Sequence, residues 1–182
     1  TTKDVKDLIE AMKKENIDGL IIDLRGNGGG SLEEAINLSG LFLKGQTVVQ
    51  TKGHDGKISE ERSIAKEVFY AGPMIVLVDR LSASASEIFA GAMQDQGRAL
   101  IVGSTTYGKG TVQTVLSLDR FLNQSDENKQ KAGQAKFTIA KFYRASGSST
   151  QHRGVEPDLH FPSVIDPAII GESAQDYALP WD

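Results

Sequence analysis

The chain has 182 residues, of which 39% are hydrophobic, with 20 basic and 24 acidic side chains and a net charge of −4. This length fits one globular domain with a sizeable core, and the slightly acidic balance argues against nucleic-acid binding. Because the chain has no cysteine, disulfides, thiolate metal sites and cysteine nucleophiles are excluded.

The first third of the chain predicts a helix, a buried strand, a glycine loop and a second helix. Apolar residues at helical spacing in residues 3–16 predict an amphipathic helix. The strand, loop and helix that follow correspond to IDGLIIDL, RGNGGG and SLEEAINLSGLFL. Ser31 and Glu34 have capping-box spacing at the start of this second helix.

The remaining elements alternate between strands and helices, which predicts α/β layers with some parallel pairing. A hairpin is expected around Asp55-Gly56, joining QTVVQT to KISEERS. The next predicted elements are the strand MIVLV, the helix SEIFAGAMQDQ and the strands ALIVG, GTVQTVLSL and AKFTIAKFY. We expect residues 123–133 to be poorly ordered or strongly exposed, and the chain after Gly154 to be irregular.

Two glycine loops raise the alternative of a nucleotide-binding domain. The segment Gly103–Gly110 nearly matches the phosphate-binding pattern, but Gly110 stands where a hydroxyl should hold magnesium. A strand pattern follows it, whereas a phosphate-binding loop opens a helix. The loop GNGGGS lacks the third glycine of a dinucleotide fingerprint, so nucleotide binding stays the weaker alternative.

Histidine-dependent and metal-dependent chemistry have little support. His54 lies in the predicted hairpin turn, and His152 and His160 lie in the late irregular region. No G-x-S-x-G or H-E-x-x-H pattern occurs, so the sequence predicts neither a histidine triad nor a metal site, and no cofactor.

Lysine remains as a candidate base. An ordinary lysine has a pKa of roughly 10.4 and is protonated, but burial lowers the pKa because it disfavours the ammonium. Lys109 lies between two glycines near a predicted strand end, so both a half-buried base and an exposed turn lysine are open.

The stretch SASASE, residues 82–87, offers three candidate nucleophiles. Ser84 and Glu87 have capping-box spacing, so Ser84 is also a candidate helix cap. The two roles are compatible, since a serine at a helix N-terminus lies beside N–H donors that can hold an oxyanion.

The closing segments FYRASGSSTQHRGVEPDLHFP and ALPWD resemble the tail-specific branch of the carboxyl-terminal processing peptidases. Three segments resemble this family as a whole. They are IIDLRGNGGGSLEEA, VDRLSASASEIFAGAMQDQGRALIVGSTTYGKGTVQ and GVEPD. The resemblance implies a crotonase-like or ClpP-like α/β core of mixed sheet and helices. It also implies a serine endopeptidase of the Ser–Lys type.

The family motif assigns roles to particular residues. It implies that Lys109 is the base, that Ser84, 25 residues upstream, is the nucleophile, and that Gln113 is the third member. The backbone N–H of Ala85 and that of Gly30, with Gly29 as the alternative, would form the oxyanion hole.

The spacing of two residues in the sequence limits the roles that they can have. Residues four apart on a straight strand are separated by roughly 13 Å, so Lys109 and Gln113 can meet only across a bend or bulge, for which Gly110 is a candidate. Asp95 matches an aspartate of tail-specific relatives, but 11 helical residues place it roughly 16 Å from Ser84. We therefore interpret Asp95 as structural, holding the Lys109 loop.

The resemblance also implies partners and surroundings. The expected substrates are proteins or peptides with apolar C-termini, selected by an upstream PDZ domain that is not in this chain, in the periplasm and with an adaptor protein as a further partner. The chain starts TTKD, without an initiator Met or signal pattern, which suggests a catalytic core cut from a longer polypeptide. We expect residues 1–162 to form this core and 163–182 an irregular extension. A catalytically silent peptide-binding module is the alternative from another class.

Overall fold

The fold is described from a computed structural model, which covers residues 1–121 and 132–182. The predicted disorder or exposure of residues 123–133 therefore falls outside the described residues, apart from Ala132 and Gly133.

Helices and strands alternate along most of the described chain. The helices are α1 (Thr2–Lys13), α2 (Leu32–Ser39) and α3 (Ala85–Asp95). The strands are β1 (Leu20–Asp23), β2 (Thr47–Gly53), β3 (Ile58–Arg62), β4 (Met74–Val78), β5 (Leu100–Gly103), β6 (Thr111–Ser117), β7 (Gln134–Tyr143) and β8 (Leu159–His160). Short 3₁₀ turns cover Leu118–Phe121 and Glu172–Ala174.

The strands form two four-stranded sheets. The first has the order β1-β4-β5-β8, and all of its neighbouring strands are parallel. The second has the order β3-β2-β7-β6 and is antiparallel throughout. The predicted mixed α/β architecture and the predicted hairpin between β2 and β3 are therefore confirmed.

Helix α3 lies at the centre of the molecule and contacts β5 of the first sheet and β2 of the second. Residues 86–93 of this helix are all buried, as expected for a helix that is covered on every side. Its Phe89 ring meets Phe42 edge to face, with the ring centroids 5.9 Å apart. The N-terminus of α3 is thus held rigidly between the two sheets.

The sequence-based element limits need small corrections. The second helix ends at Ser39 rather than Leu43, because the chain turns at Gly40. Strand β8 was expected to be irregular chain, since two residues carry too little periodicity to predict a strand. It pairs with Val102 and Gly103 and thereby extends the first sheet. None of the three described helices is long and apolar enough to cross a membrane.

Candidate active site

Ser84 lies on the turn between β4 and α3 and is the N-cap of α3, as the capping spacing predicted. Its backbone has φ 58° and ψ −114°, a conformation that non-glycine residues rarely adopt. Such strain persists only where the surroundings impose it, and it is common at functional turns. The half-buried Ser84 side chain lines a cavity of about 450 Å³.

The two neighbouring serines have structural roles. The Ser82 hydroxyl is buried and donates to the backbone oxygen of Leu24 at 2.7 Å. The Ser86 hydroxyl donates to the backbone oxygen of Asn27 at 3.0 Å. Both therefore bind the segment that follows β1, Ser82 just before the glycine loop and Ser86 within it, and of the three serines Ser84 alone lines the cavity.

The glycine loop, residues 26–30, is anchored to the segment that leads from β4 into α3. Gly26 N donates to the Asp79 carboxylate at 2.9 Å, and the backbone oxygen of Asn27 accepts from Ala83 N at 3.0 Å. Gly29 has φ +91°, and a Cβ built there would lie 2.5 Å from the Ala83 backbone oxygen. The loop and the Ser84 turn are therefore in backbone contact, which only glycine permits at position 29.

Two backbone N–H groups near Ser84 have no hydrogen-bond partner within the described part of the chain. They belong to Ala85, at the first position of α3, and to Gly30. Gly29 N, the alternative donor, is already bonded to the Asn27 side chain at 3.0 Å. This occupancy favours Gly30 over Gly29 as the second oxyanion donor.

Lys109 lies on the loop between β5 and β6, residues 104–110, which we call the base loop after the role that the family resemblance implies for Lys109. Its side chain is half-buried and lines the same cavity as Ser84. Burial is the largest influence on the amine and lowers its pKa below the ordinary value. The amine donates to the backbone oxygen of Thr111 at 3.1 Å. The contacts of the described residues include no hydrogen bond from Lys109 to Ser84.

Glu87 connects the Ser84 turn to the base loop, a role that the sequence analysis missed. Its carboxylate is fully buried and accepts from Ser84 N at 2.7 Å. It also accepts from Gly108 N at 2.7 Å, from Lys109 N at 3.0 Å and from the Thr106 hydroxyl at 2.6 Å. The capping spacing predicted the Ser84 contact, but the three others join distant segments. The one available signal was an acidic residue followed directly by the apolar run IFAGAM in the predicted helix.

Burial raises the pKa of the Glu87 carboxyl to about 7, and its four hydrogen bonds oppose this rise. All four partners donate, since the Thr106 hydroxyl itself accepts from Val155 N at 2.7 Å. A proton on Glu87 would displace one of these donors. The ionised carboxylate therefore accepts all four hydrogen bonds at once, with Ser84 N and Lys109 N on the same oxygen.

Gln113 lines the cavity together with Ser84 and Lys109. The pairing of β6 with β7 shifts register between Val112 and Gln113, so the anticipated irregularity is present there rather than at Gly110. No hydrogen bond between Lys109 and Gln113 occurs within the described ranges. Gly110 instead permits a close approach, because a Cβ at this position would lie 2.8 Å from Gln151 N.

Asp95 is structural, but it does not hold the base loop as expected. Its carboxylate forms a bidentate ion pair with Arg144, with distances of 2.6 and 3.1 Å, and accepts from the Ser146 hydroxyl. Asp95 therefore fixes the turn after β7. The expectation failed because distance from Ser84 along the helix does not show which loop lies beside the helix end.

The described residues at this site do not form the arrangements that histidine-dependent catalysis, nucleotide binding or metal binding would need. The cavity-lining residues in the described ranges include no histidine, and the His152 ring contacts the backbone oxygen of Leu179. The segment Gly103–Gly110 leads directly into strand β6 and not into a helix. No cluster of three or more potential metal ligands occurs among residues 1–121 and 132–182.

A serine on a strained turn and a half-buried lysine, gathered with unpaired N–H groups around one cavity, indicate a candidate serine peptidase site. The model of Peptidase family S41 matches residues 1–161. The chain therefore belongs to peptidase family S41.

Relatives agree with this assignment. The chain is 45% identical over 181 residues to the tail-specific protease of Haemophilus influenzae, covering 100% of this chain and 26% of that protein. It is 35% identical over 165 residues to the carboxy-terminal processing protease CtpA of Bacillus subtilis, covering 87% of this chain and 32% of that protein. The chain thus spans about a quarter to a third of these relatives.

The same fold occurs in solved structures. The photosystem II D1 C-terminal processing protease superposes with a TM-score of 0.74 and 29% identity, covering 92% of this chain and 40% of that one. Mature CPAF has the same fold, with a TM-score of 0.68 at 17% identity, covering 93% and 43%. The predicted ClpP-like layered core is confirmed.

The contact at Gly29 predicts a sharp difference between two neighbouring glycines. Gly29→Ala should inactivate the site, because its Cβ would push against the backbone on both sides of Ser84. Gly28→Ala is the matched control, since a Cβ at position 28 meets nothing within 4 Å and its φ is not positive. Peptidase activity and thermal stability measured on both variants test this. Equal activity of the two folded variants would show that the contact at Gly29 is unimportant.

Proposed function

We propose that this chain is the catalytic core of a tail-specific serine endopeptidase of the Ser–Lys type. One observation carries the proposal: Ser84, Lys109 and the N–H groups of Ala85 and Gly30, which are unpaired among the described residues, meet at one cavity. Each has the chemistry that peptide-bond cleavage requires, namely a nucleophile, a base and oxyanion donors.

The reaction begins when the neutral Lys109 amine takes the proton of the Ser84 hydroxyl. The Ser84 oxygen attacks the carbonyl carbon of the peptide, and the N–H groups of Ala85 and Gly30 stabilise the resulting oxyanion. Collapse of this intermediate breaks the C–N bond, and the Lys109 ammonium gives its proton to the departing amine. An ester on Ser84 remains.

Water completes the reaction on the same groups. Lys109, neutral again, takes a proton from water, whose oxygen attacks the ester carbonyl. The second intermediate releases the carboxylic product, and the proton returns to the Ser84 oxygen. For both steps the Lys109 amine must leave the Thr111 oxygen and reach Ser84, a movement that lysine's flexible side chain allows.

Gln113 completes the proposed set. It shares the cavity with Lys109, and its amide offers both a donor and an acceptor. We assign it the role of orienting the Lys109 amine towards Ser84 when substrate is bound.

We propose the substrates, the partners and the compartment of this protein from the family resemblance. The substrates are proteins with apolar C-termini, selected by a PDZ domain upstream of Thr1, with an adaptor as an additional partner in the periplasm. Residues 1–162 form the catalytic core, and residues 163–182 form the extension.

A silent peptide-binding module is the second candidate, since Lys109 is bonded to Thr111 and not to Ser84. Peptide binding without any turnover, in a protein that includes the PDZ domain, would favour it.

The identity of the nucleophile and base can be tested by substitution. Lys109→Arg should abolish cleavage, because arginine keeps its proton at any working pH, and Ser84→Ala should be equally inactive. Changing His54, His152 and His160 together to alanine should leave most turnover. The measurement is cleavage of an unstructured protein with an apolar C-terminus by the chain joined to its upstream PDZ domain. Near-normal turnover by Lys109→Arg, or inactivity of a folded protein in which only His54 and His160 are changed to alanine, would refute the Ser–Lys mechanism; His152 is left out of this criterion because its ring contacts Leu179.

The charge of Lys136, whose side chain also lines the cavity, predicts a pH effect. Burial chiefly lowers the pKa of Lys109, and Lys136 lowers it further by charge repulsion. Since only the neutral amine is a base, kcat/KM should rise as pH rises through this pKa. Lys136→Gln should raise the pKa of Lys109. The acid limb, which is the low-pH part of the kcat/KM profile where activity rises, should then move to higher pH. Lys57→Gln, a matched change at an exposed hairpin position, should leave the limb in place. No shift, or a shift to lower pH, in Lys136→Gln would contradict the assignment of the limb to Lys109.

A further inference from the structure

Gln151 is a buried connection between the base loop and the C-terminal part of the chain. Its side-chain oxygen accepts from Gly110 N at 2.8 Å, directly after Lys109. Its amide nitrogen donates to the Glu172 carboxylate at 3.1 Å and to the backbone oxygen of Leu179 at 2.8 Å. The side chain is fully buried and uses its oxygen and both N–H donors, so it transmits the position of one segment to the other.

The C-terminal segment also contacts the base loop directly. Glu172 N donates to the backbone oxygen of Tyr107 at 3.0 Å. The guanidinium of Arg80, which is buried, donates to the backbone oxygens of Ile170 and Thr106, both at 2.6 Å. One buried cation therefore clamps the C-terminal segment and the base loop together.

The end of the segment is seated on the second sheet. The Lys141 amine donates to the Pro180 oxygen at 3.0 Å and to the Asp182 carboxylate at 2.9 Å. The Trp181 indole donates to the Ser149 oxygen at 3.2 Å, and the Arg153 guanidinium lies 3.7 Å from its ring centre. We call residues 170–182 the C-terminal brace. The brace lies beyond the residues matched by the family model, which end at 161.

We propose that the C-terminal brace holds the base loop in place, and that Gln151 and Glu172 are positioning residues for the Lys109 amine. The inference rests on the proposed role of Lys109 as the base. In this proposal the C-terminal extension, residues 163–182, contributes to catalysis by positioning Lys109.

The charges around Lys109 make this proposal testable through the pH dependence of activity. Three charged groups from different elements influence the pKa of the Lys109 amine: Glu172 of the brace, Lys136 of β7 and Glu87 of α3. Against the dominant effect of burial, the Glu172 carboxylate raises the pKa of Lys109, because a negative charge favours the ammonium. A residue with a purely structural role would not move the pH profile.

The first test compares two acidic residues of the brace. Glu172→Gln keeps an oxygen that can accept from Gln151 and removes the charge, so the acid limb of kcat/KM should move to lower pH. Asp176→Asn is the matched control, because Asp176 is exposed and has no hydrogen bond in the described contacts. Its profile should equal that of the unchanged protein. An unshifted profile for Glu172→Gln, or an equal shift in both variants, would overturn the proposal.

The second test removes the connection itself. Gln151→Met keeps the side-chain size and deletes its three hydrogen bonds, so kcat should fall at least about tenfold while KM changes little, since small misplacements of a catalytic group are costly. Unchanged kcat in the folded variant would overturn the proposal. If Gln151→Met does not fold, the Glu172→Gln profile decides. Activity of Lys109→Arg, in contrast, would refute the proposed function itself, so the two failures are distinguishable.

Discussion

The site depends on one buried carboxylate that binds two separate segments. Glu87 accepts one backbone N–H from the Ser84 turn, two from the base loop and the Thr106 hydroxyl. These segments are about twenty residues apart in sequence, and a backbone hydrogen bond from Tyr107 N to the Ser82 oxygen at 2.9 Å also joins them. A buried charge is costly, which is why the pKa of Glu87 rises to about 7. The cost is offset because the anion satisfies four donors that would otherwise be buried without a partner.

The fold keeps the Glu87 carboxylate buried and brings its donors close to it. Helix α3 is covered by both sheets, so Glu87 cannot turn towards solvent, and small side chains in the helix allow its neighbours to approach closely. The glycine loop presses against the Ser84 turn from one side, while Gln151 and Glu172 hold the base loop from the other. The backbones of Ser84 and Lys109, the proposed nucleophile and base, are thus fixed from independent directions, and the Lys109 side chain remains as the moving part.

Local patterns in the sequence were sufficient for most of the architecture, whereas the resemblance to a family was needed to name the groups at the cavity. Period-two and helical patterns predicted the main elements, and the S-x-x-E spacing predicted the Ser84 cap at the start of α3. The missing parts depend on tertiary contacts. Glu87 appears in the sequence as a capping residue only, and Gln151 is an ordinary polar residue in an irregular region. Asp95 was assigned to the wrong loop, because spacing along a helix does not reveal its neighbours. The role of the extension followed only from the contacts of Arg80 and Glu172.

The most direct test of this account is the turnover of Glu87→Gln. An amide offers one acceptor oxygen, so its NH₂ group would face either the Ser84 and Lys109 N–H donors or the Gly108 and Thr106 donors. At a pH above 8, where Glu87 is ionised, kcat should fall about 100-fold in a folded protein, as for other small misplacements of catalytic groups. Glu67→Gln, at an exposed position, is the control and should keep full turnover. Near-normal kcat in a folded Glu87→Gln protein would contradict the claim that this carboxylate holds Ser84 and Lys109 together.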